Sequence, residues 1–282
     1  MLQVHGVSCP VIRTANSLGR QFSHMHWNFL NTGFHSGAFN MQFDESLVKN
    51  LANGGGTSTV RVYGWRPAAI SLGWNQRMDE IDLNFAGQDS LDVVRRPTGG
   101  RAILHSDELT YSVTMISQSR NILAVYNEIS QALVLGLKRL GADVSLEKAQ
   151  PHFPTLYQSN LSVACFSSSA RYEIQIEGRK LVGSAQRRYV GSDGKEFVLQ
   201  HGSILLGPDH KRLVKYLNVA NEEDRKRLGN EIEAKTIDLS QALGRPVSFD
   251  ECVEAVRHGF EDAWGIEFDS TNAESISAGA IA

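Results

Sequence analysis

The sequence predicts an α+β domain built on a mixed, largely antiparallel sheet. Two observations carry this. Short runs of apolar residues in two-residue alternation cluster in residues 58–116 and 171–206, and segments with three-to-four-residue apolar periodicity lie before, between and after them. No internal repeat, low-complexity linker or clear second-domain boundary interrupts the 282 residues.

The first periodic segment is "FNMQFDESLVKNL", where Met41, Leu47 and Leu51 fall close together on a helical wheel, and the glycines at 54–56 stop it. The spacing predicts a helix over about 40–53. "STVRVYGW" and "AISLGWNQ" then read as two strands broken at Pro67 and expected to be a hairpin or sheet neighbours. "LDVVRRPTGGRAILH" gives a strand, a turn at Pro97 to Gly100 and a short continuation at 102–104, and "LTYSVTMIS" gives another strand. Ile122, Val125, Ile129, Leu133, Leu137 and Leu140 mark the clearest helix, ended by Gly141 and expected to cover one sheet face. "RYEIQIEGRKLVGSAQRRYV" alternates on both sides of Glu177-Gly178, a hairpin signal, and "FVLQHGSILL" adds a strand. Residues 209–264 read as mostly helical, with Ser248 or Asp250 able to cap the last helix, and "SISAGAIA" is a weakly patterned tail.

A formal charge of −3 gives no global basic field, so nothing argues for nucleic acid or an anionic membrane surface as partner. No apolar run reaches the ~18 residues that would cross a bilayer. Cys9, Cys165 and Cys252 are too scattered for a disulfide framework or a closed zinc site, which fits a reducing cytoplasm. Residues 1–26 carry no acid, a composition shared by organellar presequences and by loosely docked N-terminal extensions.

Chemistry is carried by few places. In "RRPTGGRAILHSDELTYS", Gly99 and Gly100 allow close approach of a ligand to the backbone, and Arg95 and Arg96 can hold an anion. The nucleotide signatures G-x-x-x-x-G-K-[ST] and G-x-G-x-x-G are absent. His105, beside Ser106, Asp107 and Glu108, fits either a general base or metal ligand or a hydrogen-bonded structural residue, and His201 in "LQHGS" carries the same alternatives. Cys165 lies in the serine-rich "SVACFSSSARYEI" just before the hairpin that bears Arg179 and Lys180. It fits either an inert small apolar side chain or a nucleophile whose thiolate a nearby ammonium favours. Gly183, Ser184 and Ala185 are small residues in a strand, where bulky ones pack best, so something else is expected to occupy the space above them.

Taken in order, "FNMQFDESL", "RRPTGGRAILHSDELTYS", "GRKLVGSAQRR" and "LQHGSILL" resemble the lipoate-protein ligase and octanoyltransferase superfamily over about Trp27 to Trp264. The resemblance implies a two-layer α/β sandwich like the catalytic domain of biotin protein ligases and class II synthetases. It implies a single acyltransferase domain over 27–265, an N-terminal extension over 1–26 and a tail over 266–282. ATP-dependent ligases of the family typically carry three consecutive glycines, an aspartate after the histidine and an extra C-terminal domain. Here Arg101 replaces the third glycine, Ser106 the aspartate, and the stretch after Leu206 is expected to be too short for the addition. The sequence resembles instead the ligase-like octanoyltransferases.

That branch implies a Cys165 thioester: the thiolate takes octanoyl from octanoyl-acyl carrier protein and passes it to a lysine of a lipoyl domain, the glycine cleavage H protein or a similar one. No ATP or metal is expected, and the phosphopantetheine arm belongs to the carrier. Lys180 would lower the cysteine pKa and hold the carbonyl oxygen. The wall of the site would be Gly99, Gly100, Arg101, His105 and the Gly183-Ser184-Ala185 run, the acyl chain contributing roughly 0.8 kcal/mol per buried CH₂. Arg95, Arg96, Arg187 and Arg188 would steer the acidic carrier or its phosphate. The rival readings are an ATP-dependent lipoate ligase, an amidotransferase moving octanoyl between lipoyl domains, and a module that binds acylated partners without turning them over.

Overall fold

The computed structural model describes Phe22 and residues 25–117, 121–147 and 173–269. Its first strand, β1 (Trp27–His35), has no counterpart in the sequence reading. Its pairing shifts register between Asn31 and Phe34, where Gly33 has φ +68°, and that irregularity breaks the two-residue alternation that marks strands. Helix α1 (Gly37–Ala52) starts a little earlier than its apolar spacing suggests, because the Ser36 hydroxyl accepts the Phe39 amide and caps it.

Strand β2 (Ser58–Trp65) is buried along its whole length. β3 (Ala69–Leu72) is neither its hairpin partner nor its sheet neighbour, contrary to the expectation. Beyond Pro67 the chain leaves the main sheet, and Ile70 and Leu72 join a separate apolar cluster with Ile81, Leu104, Leu213 and Tyr216. There β3 pairs in parallel with β4 (Asp92–Arg95) and antiparallel with β5 (Ile103–His105), the expected short continuation after the glycine turn. This three-stranded sheet is an addition to the sequence reading, as is the short helix α2 (Leu83–Gln88) between β3 and β4.

The main sheet also contains β6 (Glu108–Ile116), β7 (Ser145–Glu147), β8 (Glu173–Ile176), β9 (Arg179–Val190) and β10 (Glu196–Leu205), in the order β1-β2-β6-β10-β9-β8-β7. Among the described residues only the β1–β2 strand pair of this sheet is parallel, which agrees with a mixed, largely antiparallel sheet. The β8–β9 hairpin turns at Glu177-Gly178 as expected, and both residues have positive φ, as a tight two-residue hairpin turn requires. A 3₁₀ stretch over Pro208–Tyr216 and helices α4 (Glu222–Lys235) and α5 (Leu239–Leu243) follow.

Helices α3 (Ile122–Arg139) and α6 (Phe249–Trp264) cover one face of the main sheet. Val125, Ile129, Leu133 and Leu137 from α3, with Val253, Val256 and Phe260 from α6, share one core with Val113, Met115, Val198 and Ile204. The two helices cross at glycines: a Cβ on Gly136 would stand 2.3 Å from the Ala255 carbonyl oxygen, and one on Gly259 would stand 2.4 Å from that of Ala132. The opposite face carries α1, through Val48 and Leu51 on Phe197 and Leu199, and the approach of the small sheet. Side chains of β10 alternate between these faces, Val198 and Ile204 toward the helix pair, Leu199, His201 and Ser203 toward α1 and the small sheet.

Candidate active site

The glycine loop between β4 and β5 is held from inside by an arginine. Arg96, only 4% exposed, donates to the carbonyls of Ser71, Gly99 and Arg101. Arg95 donates to the carbonyls of Gly73, Trp74 and Gln76, fixing the neighbouring loop. Both were expected to hold or steer an anion. Arg95 Nη1 and the Arg96 guanidinium engage main-chain oxygens, which shapes the two loops. Those loops touch at glycines: a Cβ on Gly73 would meet the Gly100 oxygen at 2.1 Å, and Gly100 itself has φ +96°. Beside Gly99 there is open space, with nothing within 4 Å of where its Cβ would be. Arg101 lies 3.9 Å from Glu80.

Two buried polar groups lie behind this loop. His105 stacks on Trp65 at 4.0 Å, with Nε2 2.7 Å from Ser71 Oγ and Nδ1 2.8 Å from Glu108 Oε1. Thr110 and Ser203 also donate to Glu108. Both ring nitrogens of His105 are thus engaged by protein. His201 Nδ1 lies 3.1 Å from Asp44 Oδ2, and its Nε2 lies 2.6 Å from Thr98 Oγ1. Asp44 is fully buried and also receives Arg61 at 2.7 Å, the Tyr63 hydroxyl at 2.9 Å and the Ser112 hydroxyl at 2.8 Å. Burial alone would raise the Asp44 pKa, but Arg61, His201 and Ser112 together outweigh it and hold the carboxyl below its usual range. Burial lowers the His201 pKa against the pull of Asp44, which favours the neutral ring.

Lys180 reaches this side of the sheet through a β-bulge. The β8–β9 register passes from Gln175 opposite Lys180 to Ile174 opposite Val182, which leaves Leu181 as the extra residue. Leu181 and Val182 therefore both join the core under the helix pair, while Lys180 takes the side of Glu173 and pairs with its carboxylate. Both partners are almost fully buried. Strand alternation puts Gly183, Ala185 and Arg187 on the same side. Arg187 confirms this: it donates to the Pro97 carbonyl at 3.1 Å and lies over the Trp74 ring, itself 52% exposed. Arg188 turns away to Glu196.

Ser184, expected beside Gly183 and Ala185 at the acyl wall, faces the helix pair instead. Its hydroxyl accepts from Tyr111 at 2.7 Å, and its carbonyl accepts from Tyr126 of α3 at 3.1 Å. Burial pushes the Tyr111 pKa up to about 12, so that phenol is a donor throughout the physiological range. The close packing here demands glycine at 202, where a Cβ would stand 2.5 Å from the Gly183 oxygen.

Cys165 lies outside the described residues, in the segment that ends just before Glu173. The structure thus brings together the glycine loop, Lys180, Gly183, Ala185, Arg187 and His201 on one sheet face. Among the described residues no group of three or more His, Cys, Asp or Glu side chains could hold a metal ion. Sequence reasoning missed Arg61, Asp44 and Thr98. The signal available was a lone arginine inside the apolar "TVRVY" run, which can be buried only with a partner.

A family model described as the lipoyl protein ligase A/B catalytic domain matches residues 36–261. Among curated relatives, an "Octanoyltransferase LipM" from Kyrpidia tusciae is 39% identical over 249 residues, covering 86% of this chain and 89% of that protein. Its namesake from Bacillus subtilis is 34% identical, covering 86% and 88%. Among solved structures, a bipartite lipoate protein ligase from Thermoplasma acidophilum aligns with a TM-score of 0.72 at 22% identity, over 92% of this chain and 91% of that one. A lipoate-protein ligase A bound with ATP aligns with a TM-score of 0.70, also at 22% identity, over 91% and 93%. These two likenesses bear on the fold.

Proposed function

The chain belongs to the lipoyl protein ligase A/B catalytic domain family, and from that premise we propose that it is an octanoyltransferase of lipoate biosynthesis acting through a Cys165 thioester. The observation that carries the transferase over the ligase is the identity of 34–39% to proteins named octanoyltransferase, over more than four-fifths of the chain. The acceptor is a lipoyl domain, such as that of the glycine cleavage H protein, and the donor is octanoyl-acyl carrier protein. Cytoplasmic placement belongs to the same reading. Among the described residues no helix is long and apolar enough to cross a membrane.

In the proposed cycle the Cys165 thiolate attacks the thioester carbonyl carbon of the donor. The new C–S bond replaces the one to the pantetheine sulfur, which leaves and takes up a proton. The acceptor lysine amine then attacks the acyl-enzyme, forming the amide, and its proton returns the cysteine to the thiol. Thioester exchange is nearly balanced and amide formation from a thioester runs downhill, so no nucleotide is consumed. Lys180, on the face it shares with the glycine loop, supplies positive charge to the thiolate and to the developing oxyanion. Glu173 holds that lysine in place. On this reading the acyl chain passes beside Gly99, where an added Cβ would meet nothing within 4 Å.

The test is transfer from octanoyl-carrier protein to a lipoyl domain in the absence of ATP, read by the mass of the acceptor. Modified acceptor without ATP is expected; modification only with ATP and free octanoate or lipoate would establish the ligase. Octanoyl transfer from octanoyl-H protein but not from the carrier would establish the amidotransferase. Substituting Lys180→Met is expected to slow acyl-enzyme formation by about 10²–10³-fold, the usual effect of losing one oxyanion donor. Because Glu173 would then be buried without its counter-charge, the pair Lys180→Met with Glu173→Gln should regain stability and not activity. Recovery of activity in that double variant would reduce Lys180 to a structural ion pair.

A further inference from the structure

Thr98, in the middle of the glycine loop, is 1% exposed, and it is tied in two directions. Its carbonyl accepts the Trp74 amide at 2.8 Å, and its hydroxyl lies 2.6 Å from His201 on the central strand β10. The rest of the chain of contacts fixes which way the protons point. Arg61 can only donate, and the Asp44 carboxylate can only accept, so His201 must carry its proton on Nδ1 to meet Asp44 at 3.1 Å. In the neutral ring, which burial favours, Nε2 is then an acceptor and the Thr98 hydroxyl donates to it.

We propose that Arg61, Asp44, His201 and Thr98 form a buried positioning chain that holds the Pro97–Arg101 loop in its ligand-ready shape from the sheet beneath. Arg61 and Asp44, both fully buried, are its fixed end. His201 spans from that ion pair to the loop, and Thr98 is where the loop is caught. The loop is clamped a second time by Arg96, but that clamp closes within the loop and its neighbour, on Ser71, Gly99 and Arg101. A further tie runs from Arg187 to the Pro97 carbonyl, from a half-buried side chain. Arg96 thus sets the loop's curvature, and the buried chain sets its height above the sheet. None of the four residues touches the reacting atoms, and their action is through the loop.

The height matters because the acyl chain, on the reading given above, lies between this loop and the small-residue side of β9. The inference rests on that reading for its catalytic consequence, and stands on geometry alone for the loop. Thr98→Val keeps the volume and removes the donor; Thr98→Ser keeps the donor; His201→Gln keeps one donor and one acceptor in the same region.

The experiment pairs amide hydrogen exchange with the rate of octanoyl loading from octanoyl-carrier protein, on the full chain. In Thr98→Val, amides of residues 97–101 should lose protection while those of β6 and β10 keep theirs. Loading should fall by about 10²-fold, the effect of a misplacement of about 1 Å. Thr98→Ser should behave as wild type in both measurements, and adding His201→Gln to Thr98→Val should cost little more than either alone. Unchanged loop protection in Thr98→Val, or a protection loss spread evenly over the sheet, would overturn the positioning chain. Wild-type protein that never loads octanoyl, with the loop responding as described, would overturn the transferase reading and leave the positioning chain standing.

Discussion

The Cys165→Ser protein is expected to take no octanoyl group from octanoyl-carrier protein and to make no octanoyl-lysine on a lipoyl domain. The thioester mechanism needs a nucleophile that is anionic near neutral pH, and a thiolate beside an ammonium can be that where a serine hydroxyl cannot. Losing the nucleophile of a covalent mechanism costs on the order of 10⁴–10⁶ in rate. Intact mass after incubation with donor reads the first half of the cycle directly: one octanoyl group on wild type, none on the variant. Turnover by Cys165→Ser at the wild-type rate would end the covalent mechanism. Cys252 offers no substitute nucleophile, since it is buried on α6 and burial, with Glu251 nearby, pushes its thiol up to about 12. Cys252→Ala should accordingly still load one octanoyl group.

The second large effect is on stability. Arg61→Met is expected to cost about 3–5 kcal/mol, the range for breaking a buried pair and leaving one charge uncompensated. Asp44 would remain fully enclosed, with the Tyr63 and Ser112 hydroxyls and His201 as its partners. The guanidinium also lies 3.9 Å from the Tyr63 ring centroid and 4.5 Å from that of Phe43, so packing is lost along with charge. Urea denaturation with an unchanged m-value would measure it. A loss below about 1 kcal/mol would show that the site admits water or relaxes around Asp44. Adding Asp44→Asn should recover part of the loss, because the orphaned charge goes with it.

What the sequence disclosed depended on how regular each element is. The helix of Ile122 to Leu140, the Glu177-Gly178 turn and the Ser248 cap were legible because local spacing and local hydrogen bonding specify them. Strand β1 was hidden by its own irregularity. The separation of β2 from β3 was hidden because pairing is a long-range matter: "AISL" looks the same in either sheet, and Leu104, Leu213 and Tyr216 decide which one it joins. At the site, the residue types were legible and their directions were not. That Arg95 and Arg96 also tie down loop carbonyls could not be read from their place in the sequence. Ser184 looks like part of a small-residue floor until alternation and Tyr111 place it on the far side.

The bulge at Leu181 bears on how chains of this kind can change length. Leu181 stands opposite no residue of β8, so a chain lacking it would still set Lys180 against Gln175 and Val182 against Ile174. Deletion there removes one apolar anchor from beneath the helix pair and leaves the lysine facing the loop. Removing Gly183, or any odd number of residues from β9 beyond Val182, would do the opposite, keeping the anchors and reversing the faces of everything that follows. Evolution can therefore drop Leu181 at the cost of an anchor without turning Lys180, whereas beyond Val182 residues can be lost only in pairs.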